Sequence, residues 1–385
     1  MSLTSAFSLN EIRGGRTSVK WTRCAPDVIP LSVAEMDFAV ARSITDTIIE
    51  RVRASDFGYI DAPGPLANAF ADFAARRWEW TIDPAFVRVT TDVSAAIVET
   101  LRYGIPRGGT VVINPPVYTA FYELIDEAGA VRREVPLLVD GTDWSMDLVE
   151  LERAFAGGAD AFLLCHPHNP VGVVFDSDTL TAIAQLAAKY DVLVISDEVH
   201  APLTHPGVKF RPFLDVARFH GARCICVTSA SKGWNIAGLK CALIIAGHEQ
   251  GLILLNSFPE EVTCRTSILG LHANVAAFSD IAWLDDAISK IVDNDRLLSG
   301  LIEDQLPAAV YHRPSASYLG WIDLREYQLG EDPAALLVDS ARVALNAGHS
   351  YGAAYDGFVR INLACDPTLL AEAVRRIGEF LTHPE

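Results

Sequence analysis

The chain has 385 residues, 50% of them hydrophobic and 21% charged, which is long enough for one large domain and a smaller one. Its 31 basic and 49 acidic residues leave a formal net charge of -18, and that field repels nucleic-acid backbones and anionic membrane surfaces, so neither is an expected partner. No run of about 18 apolar residues occurs, the opening MSLTSAFSLNEIRGGR lacks the pattern of a secretory leader, and the seven cysteines fall mostly in apolar runs without C-x-x-C pairs, so a cytoplasmic protein without a metal site is expected.

In chain order, the first forty or so residues are rich in turn formers and are expected to cross to a smaller domain or a partner subunit. Between about residue 90 and residue 250, short apolar runs alternate with longer helical periods, the pattern of an α/β fold with a parallel sheet flanked by helices. The strand candidates are GTVVINP from Gly109, DAFLLCHP from Asp160, VLVISDE from Val192, CICVTSA from Cys224 and CALIIAG from Cys241. They are nearly all apolar, as strands covered on both faces should be. DTLTAIAQLAAKY from Asp178 opens on an acid and repeats apolar residues every three or four positions, which predicts a crossover helix. After about residue 275 come the long helical stretch AWLDDAISKIVDNDRLLSGLIEDQL and the strands YLGWIDLR and FVRINLA, the outline of a smaller α+β domain. The expected division is an arm with part of the small domain over 1–45, a large domain over 46–275 and a small C-terminal domain over 276–385. A site is expected in the cleft between the two domains.

The tetrapeptide Ser229-Ala230-Ser231-Lys232 lies between two of the apolar strand runs. Alone, such a lysine reads as a solvated turn residue, but it has company: Tyr59, Val93-Ser94, Tyr118, Asn169-Pro170 and Asp197 precede it and Arg360 follows. These types suit pyridoxal phosphate chemistry. That cofactor needs an amine to hold its aldehyde and shuttle a proton, here Lys232. It also needs a carboxylate beside its ring nitrogen to keep the ring protonated, here Asp197, at a strand end that faces the ligand crevice of an open sheet. Asp197-Glu198 equally suits a helix N-cap. Asn169 can donate its amide to the phenolic oxygen, or be a plain Asn-Pro turn closed by Gly172. His200 can reach the same oxygen or cap the strand end, and Tyr118 can stack on the ring or sit in the core. The phosphate needs backbone N–H groups at a helix start, which Val93 and Ser94 in TTDVSAAIVETL would supply, with a hydroxyl from Ser229 or Ser231 and a charge from Lys240. Arg360, inside FVRINLA, is costly to bury unpaired: it is either a bidentate clamp for a substrate carboxylate or half of a structural ion pair.

Nearly end to end, the chain resembles fold-type I pyridoxal phosphate enzymes of the aminotransferase class I/II group, and more narrowly the MalY/PatB-type cystathionine β-lyases. The resemblance is carried by RTSVKWTRCAPDVIPLSVAEMDF, DFGYIDAPG, PPVYTAF, NPVG, SDEVHAPL, SASKGWNIAGL and GFVRINLACDP. It implies a mostly parallel seven-stranded sheet between helices, with Lys232 as the Schiff-base lysine, Asp197 on the ring nitrogen, Asn169 on the phenolic oxygen, Tyr118 on the ring and Arg360 on the substrate carboxylate. It further implies a homodimer in which Tyr59 reaches the neighbouring subunit's cofactor phosphate, and a substrate pocket lined by Ala34 to Phe38, including Glu35 and Met36. Three departures stand out: Ser32 and Glu35 replace the tryptophan and aspartate of WVADMDF, DVSAAI replaces GVVPAL and brings Asp92 near the phosphate, and Lys240 stands where related aminotransferases carry an arginine. The implied reaction is β-elimination of an L-cysteine thioether such as cystathionine to a thiol, pyruvate and ammonia. An aminotransferase, which begins with the same α-proton removal, is the alternative; a ligand-sensing partner of a regulator is a third, with no appended helix-turn-helix to support it.

Overall fold

The computed structural model describes Thr4 and residues 14–382, so most of the opening segment of the predicted arm lies outside the described residues. The central sheet has seven strands: β1 Val87–Thr90, β2 Thr110–Ile113, β3 Val131–Glu134, β4 Ala161–Cys165, β5 Leu193–Asp197, β6 Cys224–Thr228 and β7 Ala242–Ala246. Their order is β1-β7-β6-β5-β4-β2-β3; β7 is antiparallel to both of its neighbours and the other pairs are parallel. Strands β4 to β7 are buried at every residue because helices cover both faces. Their side chains alternate accordingly: Val112, Phe162, Leu164 and Val194 enter one apolar cluster, Val111, Leu163, Ile195 and Ile225 the other.

The five predicted strands of this sheet are β2 and β4 to β7. The crossover helix begins one residue before its predicted start, at Ser177, because Asp176 rather than Asp178 caps it, accepting the Thr179 N–H at 2.8 Å. The predicted long helix is Ile281–Gln305, capped by Asp280 on the Trp283 N–H. Its Asn294 side chain donates to the Leu363 and Cys365 carbonyls, fixing the helix against a four-stranded antiparallel sheet of β8 Val310–His312, β9 Leu319–Asp323, β10 Asn346–Ala347 and β11 Phe358–Asn362. The described part of the arm crosses to this sheet's side of the molecule: Ile29–Pro30 pairs in parallel with Val343–Ala344. Five of the seven cysteines are buried. Among the described residues no helix is long and apolar enough to cross a membrane.

The parallel strands all end on one edge, and the chain leaves that edge carrying polar residues. Tyr118 follows β2, Asn169 follows β4, Asp197 ends β5 and Lys232 follows β6. Arg360 comes from β11 of the second sheet, opposite that edge.

Candidate active site

These side chains line one pocket of about 380 Å³, whose wall includes Val33, Ala34, Val93, Tyr118, Asn169, Asp197, His200, Lys232 and Arg360. Lys232 sits on the short helix Ala230–Gly233 directly after β6 and donates to the Ala34 carbonyl at 3.1 Å. Burial, and then the nearby Arg360 charge, push its ammonium down to about 8, so a sizeable fraction is the neutral, nucleophilic amine near neutral pH. Asp197 is 5% exposed, and burial raises its carboxyl to about 7 against a Val199 N–H bond and the Lys232 charge, both of which favour the anion. A cation beside this carboxyl would restore its charged form, and a protonated pyridine nitrogen is such a cation. The helix-capping alternative is not met: the next helical turn, Ala201–Leu203, has His200 at its N-cap, and Asp197 Oδ1 accepts only a local turn bond from the Val199 N–H at 3.1 Å.

Arg360 is 4% exposed; it donates to the Asn169 amide oxygen at 3.1 Å, to the Ser32 carbonyl at 2.8 Å and to the Asn346 amide oxygen at 2.9 Å, while its Nε–H has no acceptor. Among the described residues no carboxylate lies within ion-pair distance of it, which rules out the structural ion pair there. A buried guanidinium held only by neutral acceptors is poised for an incoming carboxylate. The bond to Asn169 Oδ1 also orients that amide, leaving its NH2 directed away from the guanidinium. Gly172 closes the turn with φ +69, where a Cβ would collide with Pro314.

His200 makes no side-chain cap; its Nδ1 hydrogen-bonds the Ser317 hydroxyl at 2.9 Å, and burial, then Lys232 and Arg360, hold the ring well below its ordinary range and neutral. Tyr118 is half-buried on the pocket wall and meets Phe121 edge-on at 5.8 Å; burial, then Asp197, raise its phenol, which stays protonated. Val93 opens the helix Val93–Gly104, and neither its N–H nor that of Ser94 has an acceptor among the described residues, as an anion-binding helix start requires.

Other expected residues lie elsewhere. Met36 is fully buried, with its backbone N–H and carbonyl both bonded to the Asn235 side chain, so it belongs to the core and not to the pocket wall. The Glu35 carboxylate accepts from Ser18 at 2.8 Å and lies 3.8 Å from Arg16, turned toward the arm. The next two expected wall residues are also withdrawn: Asp37 bonds Lys20 at 2.6 Å and Phe38 is buried. Of Ala34 to Phe38 only Ala34 reaches the pocket, joined by Val33. The Ser229 hydroxyl is already consumed, donating to the Cys241 carbonyl at 2.8 Å and accepting the Ser231 N–H as the N-cap of its helix. The Ser231 hydroxyl has no protein partner among the described residues, and Lys240 ion-pairs with Asp92 at 2.9 Å. Tyr59 is 90% exposed and lies off this pocket. Sequence reasoning missed Arg23, Cys165, Asn346 and Tyr351 on the wall. Burial raises the Cys165 thiol, so it is inert. Tyr351 packs under the Arg360 guanidinium at 5.3 Å, and the close backbone approach at Gly348, where any Cβ would strike Tyr355 and Phe358, was the available signal for that segment.

The donor set therefore fits pyridoxal phosphate: an amine of depressed basicity, a buried carboxyl that burial holds protonated, a guanidinium without a carboxylate partner among the described residues and a helix start with unpaired N–H groups. The architecture is that of the fold-type I enzymes that use this cofactor. The structure of cystalysin from Treponema denticola, which contains a pyridoxal 5'-phosphate cofactor, matches with a TM-score of 0.92 at 26% identity, covering 100% of this chain and 99% of that one. Residues 26–377 match the model of the aminotransferase class I and II family, to which the chain belongs. It is 33% identical to cystathionine β-lyase of Corynebacterium glutamicum over 97% of this chain and 99% of the relative. It is 29% identical to cystathionine β-lyase PatB of Bacillus subtilis over 98% and 100%.

Proposed function

We propose that the chain is a pyridoxal phosphate-dependent carbon–sulfur β-lyase acting on cystathionine or a similar L-cysteine thioether. The observation that carries this reading is the convergence of Lys232, Asp197 and an Arg360 without a carboxylate partner in one pocket. When bound, the cofactor supplies an electron sink for the substrate's α-carbon. Arg360 grips the substrate's α-carboxylate through its free donors and so fixes which α-bond stands ready to break. The Lys232 amine, beside the bound substrate, would take the proton from Cα, and its depressed basicity suits that transfer near neutral pH. The Cβ–S bond then breaks; the sulfur departs as a thiolate and is protonated to the thiol, while the three-carbon remainder is released and hydrolysed to pyruvate and ammonia. Asp197 as an anion would hold the ring nitrogen's proton, and Asn169 and Tyr118 would position the ring.

Arg23 favours thioethers with a second carboxylate. It is exposed at the pocket wall, and its side chain makes no hydrogen bond or ion pair among the described residues, so it can meet the far carboxylate of cystathionine. We also propose a homodimer completed by Tyr59, a cytoplasmic setting, and domain boundaries near residues 45 and 275. Purified enzyme incubated with cystathionine is expected to release pyruvate and thiol with no keto acid added. Conversion of bound cofactor to its amine form, with pyruvate absent until a keto acid is supplied, would overturn the lyase in favour of an aminotransferase.

A further inference from the structure

The helix start that faces the pocket already carries an anion of its own. Asp92 is the N-cap of Val93–Gly104, and its Oδ1 accepts the Ala95 N–H at 2.8 Å. Its Oδ2 holds Lys240 Nζ at 2.9 Å. Lys240 is presented from a left-handed backbone position, φ 52, and its carbonyl accepts the Ser267 N–H at 3.1 Å, so the residue is fixed at its main chain while its solvent-exposed tip is held only by Asp92. The N–H groups of Val93 and Ser94, next along the helix start, have no acceptor among the described residues. A phosphate drawn to those two groups arrives beside the Asp92 carboxylate, and the neighbouring cation able to neutralise it is engaged with that carboxylate.

We propose that Asp92 and Lys240 form an exchangeable ion pair that sets how tightly the cofactor is held: Lys240 transfers from the carboxylate to the phosphate on binding, and Asp92 opposes retention. The inference rests on the pocket being a pyridoxal phosphate site. Both side chains are partly solvent-exposed, so their exchange requires no rearrangement of the core. The exchange is purely electrostatic; no covalent bond changes at either residue.

The test is equilibrium titration of the apoenzyme with pyridoxal phosphate and, separately, with pyridoxal, which lacks the phosphate, read by absorbance and protein fluorescence. Asn caps a helix as well as Asp, so Asp92→Asn keeps the fold. It is expected to tighten pyridoxal phosphate about three- to tenfold at low salt, less at high salt, and to leave pyridoxal unchanged. Lys240→Met is expected to weaken pyridoxal phosphate by a similar or larger factor. An unchanged or weaker dissociation constant in Asp92→Asn, or an equal gain for pyridoxal, overturns the exchange. Failure of the folded wild type to bind pyridoxal phosphate at all overturns the pocket assignment itself, a distinguishable result.

Discussion

Asp197 is buried and Lys232 half-buried, and the pocket disfavours the charged form of each, so each ties stability to pH with its own sign. The Asp197 carboxyl, raised to about 7 from 3.8, keeps its proton in the folded apoenzyme over a range where the unfolded chain has lost it. Apoenzyme stability therefore falls as pH rises from about 4 to about 7. Asp197→Asn removes that penalty, so at pH 8 the apo variant should be more stable than apo wild type, with about 4 kcal/mol as the upper bound. The difference should shrink toward pH 4, and with cofactor bound the order should reverse, because the anion then has a cationic partner. Urea unfolding at the two pH values checks this; wild type matching the variant at both would contradict it. Lys232, lowered to about 8, must be neutral to attack an aldehyde. The rate of cofactor loading should accordingly climb through about pH 8 and level off above it.

At the scale of elements, the strap Ser32 to Phe38 explains why only its first residues reach the substrate. Arg360 binds the Ser32 carbonyl, Lys232 and Tyr318 the Ala34 carbonyl, Asn362 those of Val33 and Glu35, and Asn235 that of Met36. Val33 and Ala34 thereby face the pocket while Met36 turns into the core. None of these bonds is local in sequence, so the strap's facing could not be read from its residue types. The loop after β4 is the opposite case: Asn-Pro-Val-Gly announces its turn. Gly172→Ala should destabilise the enzyme by about 2 kcal/mol or more in chemical denaturation, through the positive φ and the collision with Pro314, and weaken substrate binding by shifting Asn169. Wild-type stability would contradict it. Strands β1 and β3 escaped sequence reading because they are four-residue edge strands, and β3, Val-Arg-Arg-Glu, has no apolar run since its side chains face solvent. The central strands were legible because burial on both faces demands continuous apolar residues.

For the whole molecule, the chain order of Tyr118, Asn169, Asp197 and Lys232 was legible because parallel strands deliver their ends to one edge, whereas the approach of Arg360 depends on how a second sheet docks. Tyr59 at 90% and Phe57 at 59% exposure present aromatic surface that a second copy would cover. If Tyr59 completes the neighbour's site, mixing inactive Lys232→Ala with Tyr59→Ala subunits should restore up to about one quarter of wild-type activity at equal proportions, since each hybrid dimer holds one intact site. No recovery from reassembled hybrids would contradict the shared site. If the Lys232 amine carries the cofactor, borohydride reduction of the loaded enzyme should fix the bond there for peptide mass mapping to locate. A phosphopyridoxyl mass is expected on the peptide containing Lys232 and should be lost in Lys232→Ala; a stoichiometric label on any other lysine would contradict Lys232 as the carrier.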